Sequence, residues 1–273
     1  MTEHSLEFLD WPDIGRILFH PRLEYPGGSL MSGAVSLRIP VAGDLAVGGK
    51  IYMAGLEAPV ILYFHGNGEI ASDYDSIAPY YTSRGLTLFV VDYRGYGSSD
   101  GSPTATSLLK DAVALYNQAG YLLTQRGFSY PGLFVMGRSL GSAAAIEVAY
   151  RAGADIAGLI IESGFAYTLD LLHRLSDTRL PPADEAHDGF GNLDKISRVT
   201  IPCLFIHGQR DDIIPMTDGL ALRDACGAGR KQMVIIPGAG HNNLLASGLM
   251  TYFDAIRRFV FAITPLEGPE PFP

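Results

Sequence analysis

Apolar runs about as long as a β-strand recur between residues 58 and 237. They read APVILYF, LTLFVVDY, GLFVM, AGLIIES, IPCLFIH and QMVIIP. Most are continuously apolar rather than alternating, which is typical of strands buried on both faces of a parallel sheet. Nearer the N-terminus, GAVSLRIPV and LAVGGKIYMA flank the polar step AGD and predict a β-hairpin.

Segments of helical length separate these runs. They read SDYDSIAPYYTSRG, SLLKDAVALYNQAGYLL, SAAAIEVAYRAG, MTDGLALRDACG and LMTYFDAIRRFVFAI. The first begins at Ser72, a capping residue type, and ends at Gly85, and we expect Pro79 to kink it. The alternation predicts an α/β fold of the doubly wound type, with a mostly parallel central sheet and helices on both faces.

One stretch interrupts the alternation. Residues 164–198 lie between two predicted strands and are too long for a simple crossover, so we expect a short lid insertion there. Residues 264–273 are proline-rich and predict a flexible C-terminal tail. No internal boundary is visible, and we expect one domain over residues 1–273.

Charge and composition narrow the classes of function. The net charge of −9 and the pI of about 5.2 indicate no basic surface for nucleic acid or anionic lipid. No apolar run approaches the roughly 18 residues needed to span a bilayer, and the acidic start does not resemble a signal peptide. Two cysteines, Cys203 and Cys226, are too few for a disulfide framework, and Cys203 is expected to be a buried thiol. We therefore expect a cytoplasmic protein.

The segment GRSLG, residues 137–141, carries the first candidate for chemistry. It follows a predicted strand and precedes a helix, and the two glycines allow a sharp turn that exposes the hydroxyl of Ser139. The helix N-terminus then presents backbone N–H groups to negative charge. A capped glycine-rich turn would have the same pattern, so Ser139 needs partners before it indicates a nucleophile.

The partners follow in chain order. Asp211 and His241 lie in loops after the last two predicted strands, and serine, acid, histidine is the order of an α/β-hydrolase triad. After the strand that ends in YF, the HGNG turn offers the backbone N–H of Asn67, which pairs with that of Leu140 as a predicted oxyanion hole. The constellation predicts nucleophilic acyl transfer.

With these motifs the chain resembles the α/β-hydrolase superfamily of serine hydrolases from about Gly33 to Ile263. The matching pieces are FHGNG, VVDYRGYGSSDG, GRSLGSAAA, HGQRDDIIP and GAGHN. RGYGSS and DKISRVTIPCLFIHG are similar in particular to the branch that contains protein depalmitoylases and related esterases. Members of that branch often carry an N-terminal cysteine-rich lipidated segment. No such segment is present within residues 1–273, and we expect no stable membrane anchor.

Rival residues remain open at this point. In the family pattern H-G-x-x-D-x-x-x-P the acid falls on Asp211, while Asp212 beside it and Glu162 after the preceding strand are alternatives. His65 and His207 also lie beside strands, where a packed or loop-holding ring is the favoured interpretation. No HExxH or paired CxxC spacing is present, so we expect no metal, and the chemistry needs no cofactor.

The predicted function is hydrolysis of a small-molecule carboxylic ester or thioester through an acyl-enzyme on Ser139. The alternatives are an aminopeptidase-like peptide hydrolase on the same triad and a non-enzymatic binding protein with a hydrolase fold. We expect the apolar side chains of the lid either to line an acyl pocket or to pack the lid onto the sheet. They are Phe165, Leu169, Leu171, Leu172, Leu175 and Phe190. Three lid carboxylates are solvated or bind a peptide amine, namely Asp184, Glu185 and Asp188.

Overall fold

The computed structural model describes residues 4–24, 33–176 and 179–265. Within them, one eight-stranded sheet has the order β1-β2-β4-β3-β5-β6-β7-β8. The strands are β1 Ala34–Ala42, β2 Leu45–Tyr52, β3 Val60–Phe64, β4 Thr87–Val91, β5 Leu133–Arg138, β6 Gly158–Glu162, β7 Cys203–Gly208 and β8 Lys231–Ile236. The β1–β2 and β2–β4 pairs are antiparallel and all later pairs are parallel. The predicted N-terminal hairpin and mostly parallel sheet are confirmed.

Helices cover both faces of the sheet. They are α1 Pro12–Leu18, α2 Ala78–Thr82, α3 Ala105–Thr124, α4 Gly141–Ala152, α5 Thr168–Leu175, α6 Glu185–Asp188, α7 Asn192–Ser197, α8 Met216–Ala225 and α9 Leu244–Phe261. Helices α3 and α4 pack on one face, and α2 and α9 pack on the other. The continuously apolar runs explain this arrangement, because a strand such as β3 is buried along its whole length.

Two helical segments differ in detail from the sequence prediction. The segment predicted from Ser72 to Gly85 is a 3₁₀ turn at Ala71–Ser76 followed by the short α2. Pro79 lies in the first turn of α2, where its missing N–H costs no hydrogen bond, so it begins that helix instead of kinking it. Helix α9 is interrupted at Gly248, whose φ and ψ of −156° and 42° are not helical.

The connection between β6 and β7 contains α5, α6 and α7, within the stretch predicted as a lid insertion. Of the predicted tail at 264–273, residues 266–273 lie outside the described residues. Across the described ranges, no helix combines the length and apolar character that a membrane crossing requires.

Candidate active site

The predicted site residues all follow the carboxyl ends of strands. Asn67 follows β3, Ser139 follows β5, Asp211 follows β7 and His241 follows β8. Because parallel strands end at the same edge of a sheet, the loops that leave them meet at that edge. The fold therefore collects residues that are far apart in sequence into one place.

Ser139 occupies a strained turn between β5 and α4. Its φ is +51°, a left-handed value that L-residues rarely adopt. Neither flanking glycine has a positive φ. A Cβ on Gly137 would lie 2.2 Å from the oxygen of Gly141, and one on Gly141 would lie 2.2 Å from the oxygen of Phe64. The glycines are needed for close packing of strand against helix, and the serine itself adopts the unusual dihedral angle.

A continuous hydrogen-bonded chain joins Ser139 to Asp211 through His241. The imidazole Nε2 lies 3.0 Å from the Ser139 Oγ, and Nδ1 lies 2.8 Å from Oδ2 of Asp211. Both distances are within the reach that proton transfer from the hydroxyl requires. His241 and Asp211 are buried, with 5% and 7% of their surface exposed. The arrangement can activate the serine and orient the histidine.

Asp211 is held by its own loop as well as by His241. Its Oδ1 accepts hydrogen bonds from the backbone N–H groups of Ile213 at 3.1 Å and Ile214 at 2.8 Å. Burial acts to raise the pKa of the Asp211 carboxyl. The hydrogen bond and charge of His241, together with the N–H of Ile214, outweigh burial and lower that pKa. The carboxylate therefore stays ionised beside the imidazole.

The rival acids lie elsewhere. Asp212 is exposed and makes no hydrogen bond to His241. Glu162 is buried but binds other groups, accepting hydrogen bonds from Arg138 Nε at 3.0 Å, the Tyr63 hydroxyl at 3.1 Å and the Tyr252 hydroxyl at 2.6 Å. Among the three candidate acids, Asp211 is the one in contact with the imidazole.

The rival histidines have the loop-holding contacts expected of them. His207 Nε2 lies 2.8 Å from the carbonyl oxygen of Ile214, and burial lowers the pKa of its imidazole. His65 Nδ1 lies 2.8 Å from the carbonyl oxygen of Gly66, and its ring packs against the ring of Tyr93 at a centroid separation of 4.4 Å. Of the three histidines considered, His241 is the one that forms a hydrogen bond with Ser139.

Arg138 links the segments of the site, which the sequence analysis did not foresee. Its guanidinium forms an ion pair with Glu69, pairs with Glu162 at 3.0 Å, and donates a hydrogen bond to the carbonyl oxygen of His241 at 3.0 Å. Glu69 in turn accepts a hydrogen bond from the backbone N–H of Gly66 at 2.8 Å. The position before the nucleophile thus ties the histidine loop to the turn after β3. The only sequence signal was a charged residue at the end of an otherwise apolar strand.

The predicted oxyanion donors lie in two turns, Asn67 after β3 and Leu140 after β5. In the described part of the chain, the backbone N–H groups of Asn67 and Leu140 donate to no protein acceptor. The Asn67 Oδ1 accepts hydrogen bonds from the backbone N–H of His20 at 2.8 Å and from the Tyr96 hydroxyl at 2.7 Å. His20 and Tyr96, which the sequence analysis did not single out, therefore fix the turn that carries Asn67.

The lid residues divide by burial. Four of the six apolar side chains proposed for an acyl pocket are buried in the core, namely Phe165, Leu171, Leu172 and Phe190. Leu169 is partly buried, and Leu175 is 40% exposed. Packing of the lid onto the sheet is the interpretation that these exposures favour.

The lid carboxylates act in local caps. Glu185 accepts hydrogen bonds from the backbone N–H groups of Thr168 at 2.9 Å and Leu169 at 2.7 Å, at the start of α5. Asp184 accepts one from the N–H of Ala186 at 3.1 Å. Asp188 accepts one from the N–H of Asp184 at 2.9 Å. These bonds engage the carboxylates with the backbone of the lid, as helix caps do.

Comparison with known proteins finds similarity to proteins described as hydrolases. Residues 57–177 match the family model described as "Serine aminopeptidase, S33". The chain is 31% identical over 204 residues to alpha/beta hydrolase domain-containing protein 17B of Homo sapiens, and the same values hold for that of Xenopus laevis. The match covers 73% of this chain and 65% of each relative. The chain thus spans somewhat less than two thirds of those relatives.

Solved structures share the fold. An esterase of Pyrococcus furiosus superposes with a TM-score of 0.73 at 15% identity, over 90% of this chain and 99% of the esterase. A soluble variant of a monoglyceride lipase from Saccharomyces cerevisiae gives a TM-score of 0.66 at 16% identity, over 84% and 96% of the two chains. At such identities the likeness concerns the fold.

Proposed function

Since the chain belongs to the α/β-hydrolase superfamily, we propose that it is a serine hydrolase that cleaves carboxylic esters or thioesters through an acyl-enzyme on Ser139. The observation that carries the proposal is the hydrogen-bonded chain from the Ser139 Oγ through His241 to Asp211. The substrate in this proposal is a small-molecule ester or acyl compound.

In the first half of the reaction, His241 takes the Ser139 proton on Nε2 as Oγ attacks the carbonyl carbon. Asp211 holds the Nδ1 proton and stabilises the imidazolium that forms. The oxyanion receives hydrogen bonds from the backbone N–H groups of Leu140 and Asn67. The imidazolium then protonates the leaving alcohol or thiol, and the acyl group remains on Ser139.

In the second half, His241 takes a proton from water, and the hydroxide attacks the acyl-enzyme at the same carbonyl carbon. The oxyanion forms between the same two N–H groups, and His241 returns its proton to Ser139 as the carboxylic acid leaves. Each proton moves between Nε2 and an adjacent oxygen or sulfur atom, so the chain's own residues complete both halves.

The two alternatives receive less support. A peptidase that binds a free amine through the lid carboxylates would need those groups free, whereas Asp184, Glu185 and Asp188 accept backbone hydrogen bonds within the lid. A binding protein without activity would not need a serine hydroxyl 3.0 Å from a buried imidazole.

One substrate panel separates the three functions. Wild-type protein and the Ser139→Ala variant are assayed on p-nitrophenyl esters of graded chain length, on one thioester and on one peptide amide with a matched acyl group. We expect turnover of esters and thioester by wild type alone. Amide cleavage that exceeds ester cleavage would favour the peptidase, and no turnover by wild type would favour the binding protein.

A further inference from the structure

Two cysteines that are 23 positions apart meet in the core at the end of β7 opposite to Asp211. Cys203 is the first residue of β7, and Cys226 caps the C-terminus of α8. Their sulfur atoms lie 3.5 Å apart, and both are free thiols. Their exposed fractions are 0% and 3%. Nothing in the proposed acyl transfer uses this pair.

The main chain holds both cysteines in place. The backbone N–H of Cys203 donates to the oxygen of Arg230 at 2.9 Å, and that of Cys226 donates to the oxygen of Leu222 at 3.0 Å. Lys231, opposite Cys203 in the register of β7 and β8, donates from Nζ to the carbonyl oxygen of Cys226 at 2.7 Å. The two sulfurs are therefore neighbours in the folded state.

The surroundings of Cys226 favour its thiolate. Its hydrogen bond with the Cys203 sulfur, the backbone N–H of Ala228 and the positive charge of Lys231 act together against burial. Together they lower the pKa of the Cys226 thiol to about 7. The hydrogen bond to Cys226, followed by burial, raises the pKa of the Cys203 thiol. Of the two thiols, that of Cys226 is therefore the more readily deprotonated.

We propose that Cys203 and Cys226 form a modification site at which a peroxide converts the two thiols into an intramolecular disulfide. The sulfurs of a disulfide lie about 2.05 Å apart, so the two side chains have to close a gap of about 1.5 Å. The proposal is independent of the proposed hydrolase activity.

The reaction balances in two steps. The Cys226 thiolate attacks one oxygen of hydrogen peroxide, an S–O bond forms, the O–O bond breaks, and the departing hydroxide takes a proton to become water. Cys203 then loses its proton and attacks the Cys226 sulfur. The S–S bond forms as the S–O bond breaks, and the second hydroxide leaves as water with that proton. Two thiols are oxidised and one peroxide is reduced to two waters.

The disulfide would close a loop that contains α8 and the Asp211 turn. Cross-linking such a loop removes conformational freedom from the unfolded chain, and we expect the melting temperature to rise by about 5–10 °C. Because the sulfurs lie at the amino end of β7 and Asp211 follows its carboxyl end, we expect unchanged ester hydrolysis in the oxidised protein.

The test uses the full chain before and after treatment with hydrogen peroxide. Thiols are counted in denaturant, and the cross-link is mapped by mass spectrometry of a non-reduced digest. We expect two thiols before treatment, none afterwards, a peptide that joins Cys203 to Cys226, and reversal by a reducing agent. Two remaining thiols, a link between two copies of the chain, or separate overoxidised cysteines would each overturn the proposal.

Single substitutions assign the order of events. In Cys203→Ala, we expect Cys226 to stop at a sulfenic acid that dimedone captures. In Cys226→Ala, we expect Cys203 to stay unreactive. Dimedone capture at Cys203 and not at Cys226 would contradict the proposed attack by Cys226. The disulfide test uses only the wild-type protein, so loss of folding in either variant does not affect it.

Discussion

Arg138, the residue before the nucleophile, donates a hydrogen bond from Nη2 to the main-chain oxygen of His241 at a distance of 3.0 Å. The same guanidinium pairs with Glu69, which accepts from the backbone N–H of Gly66 in the turn that carries Asn67. One side chain that adjoins Ser139 therefore connects His241, the proposed base, with the turn that carries Asn67, a proposed oxyanion donor. Its contribution is to position them, since Arg138 does not itself contact the serine hydroxyl.

The first prediction concerns Arg138→Gln. Loss of these contacts should displace the histidine loop, and a misplacement of about 1 Å can cost about a hundredfold in rate. We expect kcat to fall by about that factor while KM changes little. Arg138→Lys keeps the charge, and we expect its kcat to lie between those of wild type and Arg138→Gln. Steady-state kinetics on one ester, normalised to folded protein, measures this.

Arg94 supplies the matched control. It forms a bidentate pair with Asp111 at 2.6 and 2.7 Å, on a different part of the sheet edge. Arg94→Gln should lower the melting temperature without lowering kcat. If both substitutions lower only the melting temperature, Arg138 has no positioning role.

The second prediction distinguishes the adjacent aspartates. Asp211→Asn should lower kcat by about 10⁴-fold with little change in KM, as amide replacement of the triad carboxylate does in a serine protease, because it leaves His241 in the wrong tautomer. Asp212→Asn, at an exposed position in the same loop, should cost about tenfold or less. Steady-state kinetics on the two purified variants measures these losses. A larger loss of kcat in Asp212→Asn than in Asp211→Asn would identify Asp212 as the triad acid.

The third prediction concerns covalent labelling. A fluorophosphonate should modify Ser139 alone, because this hydroxyl adjoins an imidazole. Ser163 is the matched control, since it follows the neighbouring strand β6 and also has a positive φ, of +44°, while its buried hydroxyl has no hydrogen-bond partner among the described residues. Ser163→Ala should keep full labelling and Ser139→Ala should lose it. Mass spectrometry locates the adduct. Modification of Ser163 would contradict the assignment of Ser139 as the nucleophile.

The fourth prediction concerns the length of the acyl chain. Phe165, Leu172 and Phe190 of the lid are fully buried in the core, so we expect that a long acyl chain could enter there only by displacing them. We expect kcat/KM to be higher for short and medium esters than for palmitate. The series of p-nitrophenyl esters measures it. A steady increase from butyrate to palmitate would show that the lid opens for long chains.

The fifth prediction links stability to pH. The pKa of Asp211 is lowered in the folded protein from its ordinary value of 3.8. Its ionised form therefore contributes stability fully above that ordinary value, and the contribution is lost as the pH falls through the lowered folded-state pKa. We expect the gap in melting temperature between wild type and Asp211→Asn to narrow on acidification below a pH of about 4. A gap that stays constant down to a pH of about 3 or below would contradict the lowered pKa.

Local patterns in the sequence determined most of the secondary structure. The continuously apolar runs became the parallel strands, because burial on both faces requires apolar side chains at every position. Helix α1 was not predicted, since its seven residues are too few to display a helical period, and its buried Ile14 and Leu18 depend on neighbours far along the chain.

The candidate site residues Ser139 and His241 were also predicted from the sequence, because they lie in glycine-rich loops that follow strands. The choice among Asp211, Asp212 and Glu162 needed the tertiary structure. All three are carboxylates near strand ends, and what separates them is the direction of each side chain and the partner it reaches.

Long-range partners were decided by the tertiary structure alone. The contacts of Arg138 with Glu69, of His20 with Asn67 and of Cys203 with Cys226 join residues 69, 47 and 23 positions apart. A hydrogen bond or a thiol pair acts over a few ångströms and leaves no periodic trace along the chain. Such contacts exist only after the fold has brought the segments that carry them together.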